Sequence, residues 1–299
     1  MTQTLQTQIP VGKREPYRYI LLDVFTDTPF AGNPLAVFPD AADLDGDAMK
    51  RIAKELNLSE TVFITDRRQI DNVSIRIFTP VGEIPFAGHP TVGTACLLKA
   101  LGWHDGERPL LLREGVGDVP IRFMGKRARL TTAMPLEISP CPLTIEMAAE
   151  SLGLPTIAIA SPPVAASCGI RFNLIEITDL DSLRQAQVNV ARLQSVFPNP
   201  ADRDLYLYVR QSAQQLRTRM FAPAMGIPED PATGSAAAPL IGYLSRQASF
   251  DRTLDWHLIQ GVEMERPSHI YGQVEHGTHG DLIHIEGEAV IVGEGTLYL

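Results

Sequence analysis

The chain has 299 residues, of which 44% are hydrophobic and 20% charged. That is about twice the ~150-residue expectation for one domain, with ample apolar content for a core, which excludes a small single module and a disordered chain. Lys and Arg number 26 against 35 Asp and Glu, a net charge of -9, and no basic block offers a footprint for a phosphate backbone, so nucleic acid is not an expected partner.

In chain order, residues 1–17 are polar and the apolar run that follows meets Asp23 early, so no secretory leader is expected. Short strands are predicted over 19–24, 35–38 and 61–65, with a polar helix over 47–56. Alternation over 73–78 predicts a half-buried strand stopped by Pro80. An apolar helix follows over 91–101, with Pro90 in its first turn and Gly102 as its cap. A helix is predicted over 145–152. The uncharged stretch 151–170 is long enough to cross a bilayer, but Pro155, Pro162 and Pro163 break it, so it reads as loop and strand edges and no membrane partner is expected. Strands over 171–177, 206–209, 216–221 and 282–285, a polar helix near 181–193 and an apolar helix over 235–244 complete the reading. Cys96, Cys141 and Cys168 form no C-x-x-C pair and suit a reducing, cytoplasmic compartment.

A repeat organises these elements. R-I-F-T-P at 76–80 returns as R-M-F-A-P at 219–223, and each copy is followed by a glycine turn and an apolar helix, at Gly88 and at Gly234. Such helices are expected to be buried on every face. The fold class predicted is α+β: two pseudo-symmetric domains, each a curved, mostly antiparallel sheet wrapped around a central helix. The N-terminal half is assigned to 1–130, completed by the C-terminal strand 283–299, and the C-terminal half to 131–282.

Two helix starts facing one another across a pseudo-twofold axis would place free N–H groups and dipole ends together, a setting for a small carboxylate. His89 stands at the first start and Asp230 just before the second, next to Glu229. A histidine there is expected to be neutral, since the dipole opposes its charged form. Each also has a plainer reading, His89 as a core histidine and Asp230 as a turn residue before Pro231. Glu60 lies between a polar helix and an apolar strand, where desolvation would raise its pKa toward acid/base use; a surface glutamate at a strand start would look the same.

The motifs D-V-F-T-D-T-P-F-A-G-N-P-L-A-V at 23–37, N-L-S-E-T-V-F at 57–63, F-A-G-H-P-T-V-G-T-A at 86–95, E-D-P-A-T-G-S-A-A at 229–237 and G-V-E-M-E-R-P-S at 261–268, with the doubled F-x-P, resemble the phenazine-biosynthesis PhzF-like isomerase family, whose fold is that of diaminopimelate epimerase. The resemblance implies that Glu60 is the catalytic acid/base. It implies that His89 and Asp230 are polar substrate-binding partners, and that Gly88, Gly234 and Ser235 form an anion site. It further implies a cofactor-free isomerisation, as of 2,3-dihydro-3-hydroxyanthranilate, in which one base moves a proton between carbons of a small, cyclic, carboxylate-bearing metabolite. Glu265 departs from the family pattern, which commonly has glycine there. Relatives of this fold that racemise amino acids place a cysteine at each helix start; here those places hold His89 and Gly234-Ser235, which disfavours a two-thiol racemase. A catalytically silent binding member is the other alternative. A homodimer is the expected assembly.

His276, His279 and His284 near the C-terminus could suggest a metal, but Gly277, Gly280 and Asp281 make the segment a hairpin turn, and no metal is expected. No calcium loop, P-loop or dinucleotide fingerprint occurs.

Overall fold

The computed structural model describes residues 15–248, 253–277 and 280–299. The first part of the chain forms β1 (Pro16–Val24), β2 (Asn33–Phe38), α1 (Gly46–Leu56), β3 (Thr61–Gln69), β4 (Asn72–Thr79), β5 (Gly82–Ile84), α2 (Gly88–Ala100), β6 (Leu110–Glu114), β7 (Gly117–Met124) and β8 (Arg127–Thr131). Next come β9 (Glu137–Pro140), α3 (Ile145–Leu152), β10 (Val164–Ser167), β11 (Arg171–Glu176), α4 (Leu180–Gln185), α5 (Val190–Val196), β12 (Leu205–Arg210) and β13 (Gln215–Ala222). The chain ends with β14 (Ile227–Asp230), α6 (Gly234–Gln247), β15 (Leu254–Gln260), β16 (Ser268–Gly277), β17 (Gly280–Gly287) and β18 (Ala289–Tyr298).

The strand pairings fall into two matching series. In the first, β18, β1, β2, β3, β4, β6, β7 and β8 lie side by side around α2. In the second, β9, β10, β11, β12, β13, β15, β16 and β17 lie side by side around α6. The parallel pairs correspond as well: β2 with β3 and β4 with β6 in one series, β11 with β12 and β13 with β15 in the other. The two series join where β8 pairs antiparallel with β17, with Leu130 opposite Ile285. Each series borrows a strand across this seam, since β9 follows β8 into the second and β18 follows β17 into the first.

Local sequence explains the elements. β4 alternates between buried and half-buried positions, placing Val73, Ile75 and Ile77 in the core. α1 begins at Asp45, whose carboxylate accepts the Ala48 N–H at 2.7 Å, and buries one face made of Met49, Ile52 and Ala53. α2 and α6 are buried nearly all round, which fits their single basic residue each, Lys99 and Arg246 in the last turns, and both begin earlier than the apolar pattern predicted, at Gly88 and Gly234. α2 ends as expected: Gly102 adopts φ 69 and its N–H and that of Trp103 bond to the carbonyls of Lys99 and Leu98.

The helix expected near 181–193 is instead two. Asp179 caps α4 and Asn189 caps α5. Between them the chain leaves the helical path so that the N–H groups of Gln187 and Asn189 can bond to Leu152 and Ser151 at the end of α3. The stretch 151–170 contains the end of α3, a short 3-10 turn (Thr156–Ala158) and β10. Among the described residues, no helix is long and apolar enough to cross a membrane.

Candidate active site

The starts of α2 and α6 meet. A Cβ on Gly88 would lie 3.4 Å from the Ser235 backbone nitrogen and 3.7 Å from Gly234 Cα, while one on Gly234 would press on Phe25 and Ile285 at 3.2 and 3.3 Å. The two starts are thus in van der Waals contact at Gly88, and at Gly234 the missing side chain leaves room for Phe25 and Ile285. Neither start has a side-chain cap, so the free N–H groups of Gly88, His89, Gly234 and Ser235 share one region.

Around it stand three titratable side chains. Glu60 follows α1 and immediately precedes β3; its side chain keeps 13% exposure, and Oε2, itself buried and without a hydrogen-bond partner, lies 3.5 Å from His89 Nδ1. Burial raises its pKa from 4.5 to about 8, aided by the negative charge of Asp230 and opposed by the adjacent Ser59 hydroxyl. His89, buried at the second residue of α2, is pushed down to about 3 by burial, which the nearby Pro34 backbone only partly offsets. The imidazole is therefore neutral at pH 7, for the stronger reason of desolvation rather than the helix dipole. Its Nε2 is also buried and unpartnered. Asp230 ends β14; burial raises it to about 6, against the opposing hydrogen bonds of Thr233 and Asn33.

Asn33, 1% exposed at the start of β2, ties these groups together. Its Nδ2 donates to Asp230 Oδ1 at 2.9 Å and to the Ala232 carbonyl at 3.0 Å, and its Oδ1 accepts the Ser59 hydroxyl at 3.2 Å. Both amide hydrogens are thus committed, so His89 Nδ1, 3.5 Å from Nδ2, receives none and is left facing Glu60. On the other side Gln260 braces the loop before α6: Nε2 donates to the Asp230 carbonyl at 2.8 Å and to Thr233 Oγ1 at 3.0 Å, and Oε1 accepts from Tyr206 at 3.0 Å. The Thr233 hydroxyl in turn donates to Asp230 Oδ2. Asn33 lay inside a motif noted in the sequence and Gln260 beside another, yet nothing local marked either amide, because the partners of Asn33 lie on the far half of the chain.

A family model of phenazine biosynthesis-like proteins matches residues 22–295. The chain belongs to that family. The trans-2,3-dihydro-3-hydroxyanthranilate isomerase of Pseudomonas chlororaphis is 34% identical to it, over 95% of this chain and 100% of that enzyme. An uncharacterized isomerase of Pasteurella multocida is 36% identical, over 95% of each chain. Among solved structures, a PhzF-family protein of Bacillus anthracis superposes with a TM-score of 0.88 at 24% identity, covering 95% of this chain and 100% of that one. A hydroxyproline epimerase of Agrobacterium vitis shares the fold with a TM-score of 0.62 at 11% identity, covering 96% of this chain and 93% of its own. The protein is thus an isomerase of the phenazine biosynthesis-like family with a diaminopimelate epimerase-like α+β fold.

The thiols stand apart from this site. Cys96 lies within α2 with Sγ 3.7 Å from the Gly287 carbonyl, and Cys168 lies in the turn between β10 and β11; burial pushes both up to about 12, so neither would be a thiolate at pH 7. In the C-terminal hairpin, His276 Nδ1 lies 2.5 Å from Asp281, His284 Nδ1 lies 2.8 Å from the Thr131 hydroxyl, and His279 is outside the described residues.

Proposed function

We propose that the protein is a cofactor-independent isomerase that moves a proton between carbons of a small, cyclic, carboxylate-bearing metabolite, with Glu60 as its general acid/base. The observation that carries this reading is the buried, unpartnered Glu60 oxygen beside a neutral histidine, where two uncapped helix starts meet.

A carboxyl with a pKa near 8 is matched to taking and returning a proton at physiological pH. Glu60 as carboxylate removes a proton from a substrate carbon. The electron pair left behind moves into the adjacent unsaturated system, and the Glu60 acid delivers the proton to a second carbon, so nothing is oxidised or reduced. The N–H groups at Gly88 and at Gly234-Ser235 would hold the substrate carboxylate, with both helix dipoles favouring negative charge there. His89 Nε2 is free to bond a polar group of the substrate, and Asp230, fixed by Asn33 and Thr233, would orient a hydroxyl or amino group. The similarity to trans-2,3-dihydro-3-hydroxyanthranilate isomerases makes that compound the first substrate to test. We place the protein in the cytoplasm, on its three unbridged cysteines, and assign it a homodimer, the commonest assembly for such chains.

The test is proton exchange followed by NMR in D2O, with trans-2,3-dihydro-3-hydroxyanthranilate and a panel of cyclic and amino carboxylic acids, beside a Glu60→Gln control. Deuterium entering carbon positions with the native protein and not with the control is the expected result. Binding without incorporation across the panel would favour a catalytically silent member.

A further inference from the structure

Arg266 sits in the loop between β15 and β16 and reaches across to the other strand series. Its Nε donates to the Gly32 carbonyl at 2.8 Å, and Nη2 donates to the Ala31 carbonyl at 2.7 Å and to Asp23 Oδ1 at 2.5 Å. Asp23, 3% exposed, uses its other oxygen to accept the Phe30 N–H at 2.6 Å. That bond accompanies a left-handed Phe30, at φ 69, a conformation that few residues with a side chain adopt. The Gly32 N–H is held in turn by the Pro267 carbonyl at 3.2 Å. Residues 30–32 are therefore bonded at each step, and the next residue is Asn33, whose amide has both hydrogens committed to Asp230 and Ala232.

We propose that Arg266 is a positioning residue for the reaction: by gripping the Ala31 and Gly32 carbonyls from the opposite series, it fixes the place of the Asn33 amide and, through it, the Asp230 carboxyl. The geometry requires a fork. A lysine at 266 would keep the charge but offers one ammonium group on a flexible stem to three acceptors that a planar guanidinium meets together. Asp23 completes the grip, since it anchors the guanidinium and the Phe30 backbone with one carboxylate.

The inference rests on Asp230 being part of the reacting site, so its test reads Asp230 without turnover. The groups facing that carboxyl are the Asn33 amide and the Thr233 hydroxyl, with the charges of Glu60 and Glu229 nearby and Gln260 on its backbone carbonyl. An N–H donated to a carboxylate favours its charged form, so loss of the Asn33 bond raises the pH at which Asp230 titrates. With aspartate carboxyl carbons labelled, NMR titration of Asp230 would be compared in the native protein, R266K, N33A and the double variant. The expected result is an upward displacement of roughly 1 on the pH scale in R266K and in N33A, with the double variant moving no further than N33A.

A titration displaced in N33A but unmoved in R266K overturns the proposal, as does a double variant whose displacement is the sum of the two. Should R266K fail to fold, D23N removes the anchor's charge and keeps the arginine. It is expected to displace the titration in the same direction, and an unmoved Asp230 in D23N overturns the proposal. Exchange activity supplies a separate reading, expected to fall roughly tenfold or more in R266K. A native protein that exchanges none of the tested acids counts against the proposed reaction alone and leaves the titration result standing.

Discussion

Held near 8 by burial and by the charge of Asp230, the Glu60 carboxyl is mostly protonated in the resting protein at pH 7. The fraction that is ionised and able to act as base grows as pH rises, so kcat/KM for exchange should climb with pH and level off above about 8. In Glu60→Gln the rate should fall roughly 10²–10⁴-fold at every pH, and the profile should lose that limb; a retained limb would assign it to another group. Glu265 tells a different story. It is exposed and adopts φ 58, a left-handed conformation that glycine takes without steric cost. The departure puts conformational strain at the loop that carries Arg266, rather than a new contact in the site. Glu265→Gly should therefore raise stability by about 1 kcal/mol, measurable as an increased denaturant midpoint with unchanged slope.

The first turn of α2 is pinned from outside the site by Glu114, at the end of β6. The Thr91 hydroxyl lies 2.8 Å from the Ala87 carbonyl and 2.7 Å from Glu114 Oε1, yet it has one hydrogen to give. A hydrogen on the carboxyl satisfies both contacts, and burial raises Glu114 to about 8 accordingly. Because the folded chain holds this proton and the unfolded chain releases it near 4.5, stability falls as pH rises from about 4.5 to about 8 and levels off above. Glu114→Gln keeps a neutral donor, so it should match the native protein at pH 5 and exceed it at pH 9, by up to about 4 kcal/mol in chemical denaturation. An equal gain at both pH values would mean that Glu114 is already charged in the folded state. Which elements form was legible from local pattern: the doubled F-x-P marked β4 and β13, and two apolar runs, one with Lys99 as its single charge, marked α2 and α6. The break between α4 and α5 was not, because Gln187 and Asn189 leave the helix for carbonyls on α3, a partner that no local window contains.

The same limit sets how far the site could be read. Glu60, His89 and Asp230 were visible as residue types with chemistry at suggestive places, and the structure brings them together; Asn33 and Arg266 lie inside motifs and Gln260 beside one, but their roles come from partners distant in sequence. The repeat announced two like halves, and the sequence reading placed the last strand with the first of them, but not that β9 is lent in return. β18 lies against β1 from Pro16 to Val24, and β9 lies against β10, so each sheet is finished by a segment that follows the other's last strand. Cut between β8 and β9, the N-terminal fragment would leave β1 without β18, and the C-terminal fragment would carry β18 with nothing to pair it. Either fragment alone should aggregate through its open edge, whereas the two expressed together should reassemble into a soluble, cooperatively melting complex. As wired, one unit is not closed by its own last strand: two units are needed, each lending its final strand to the other, so neither half of the chain is finished without its partner.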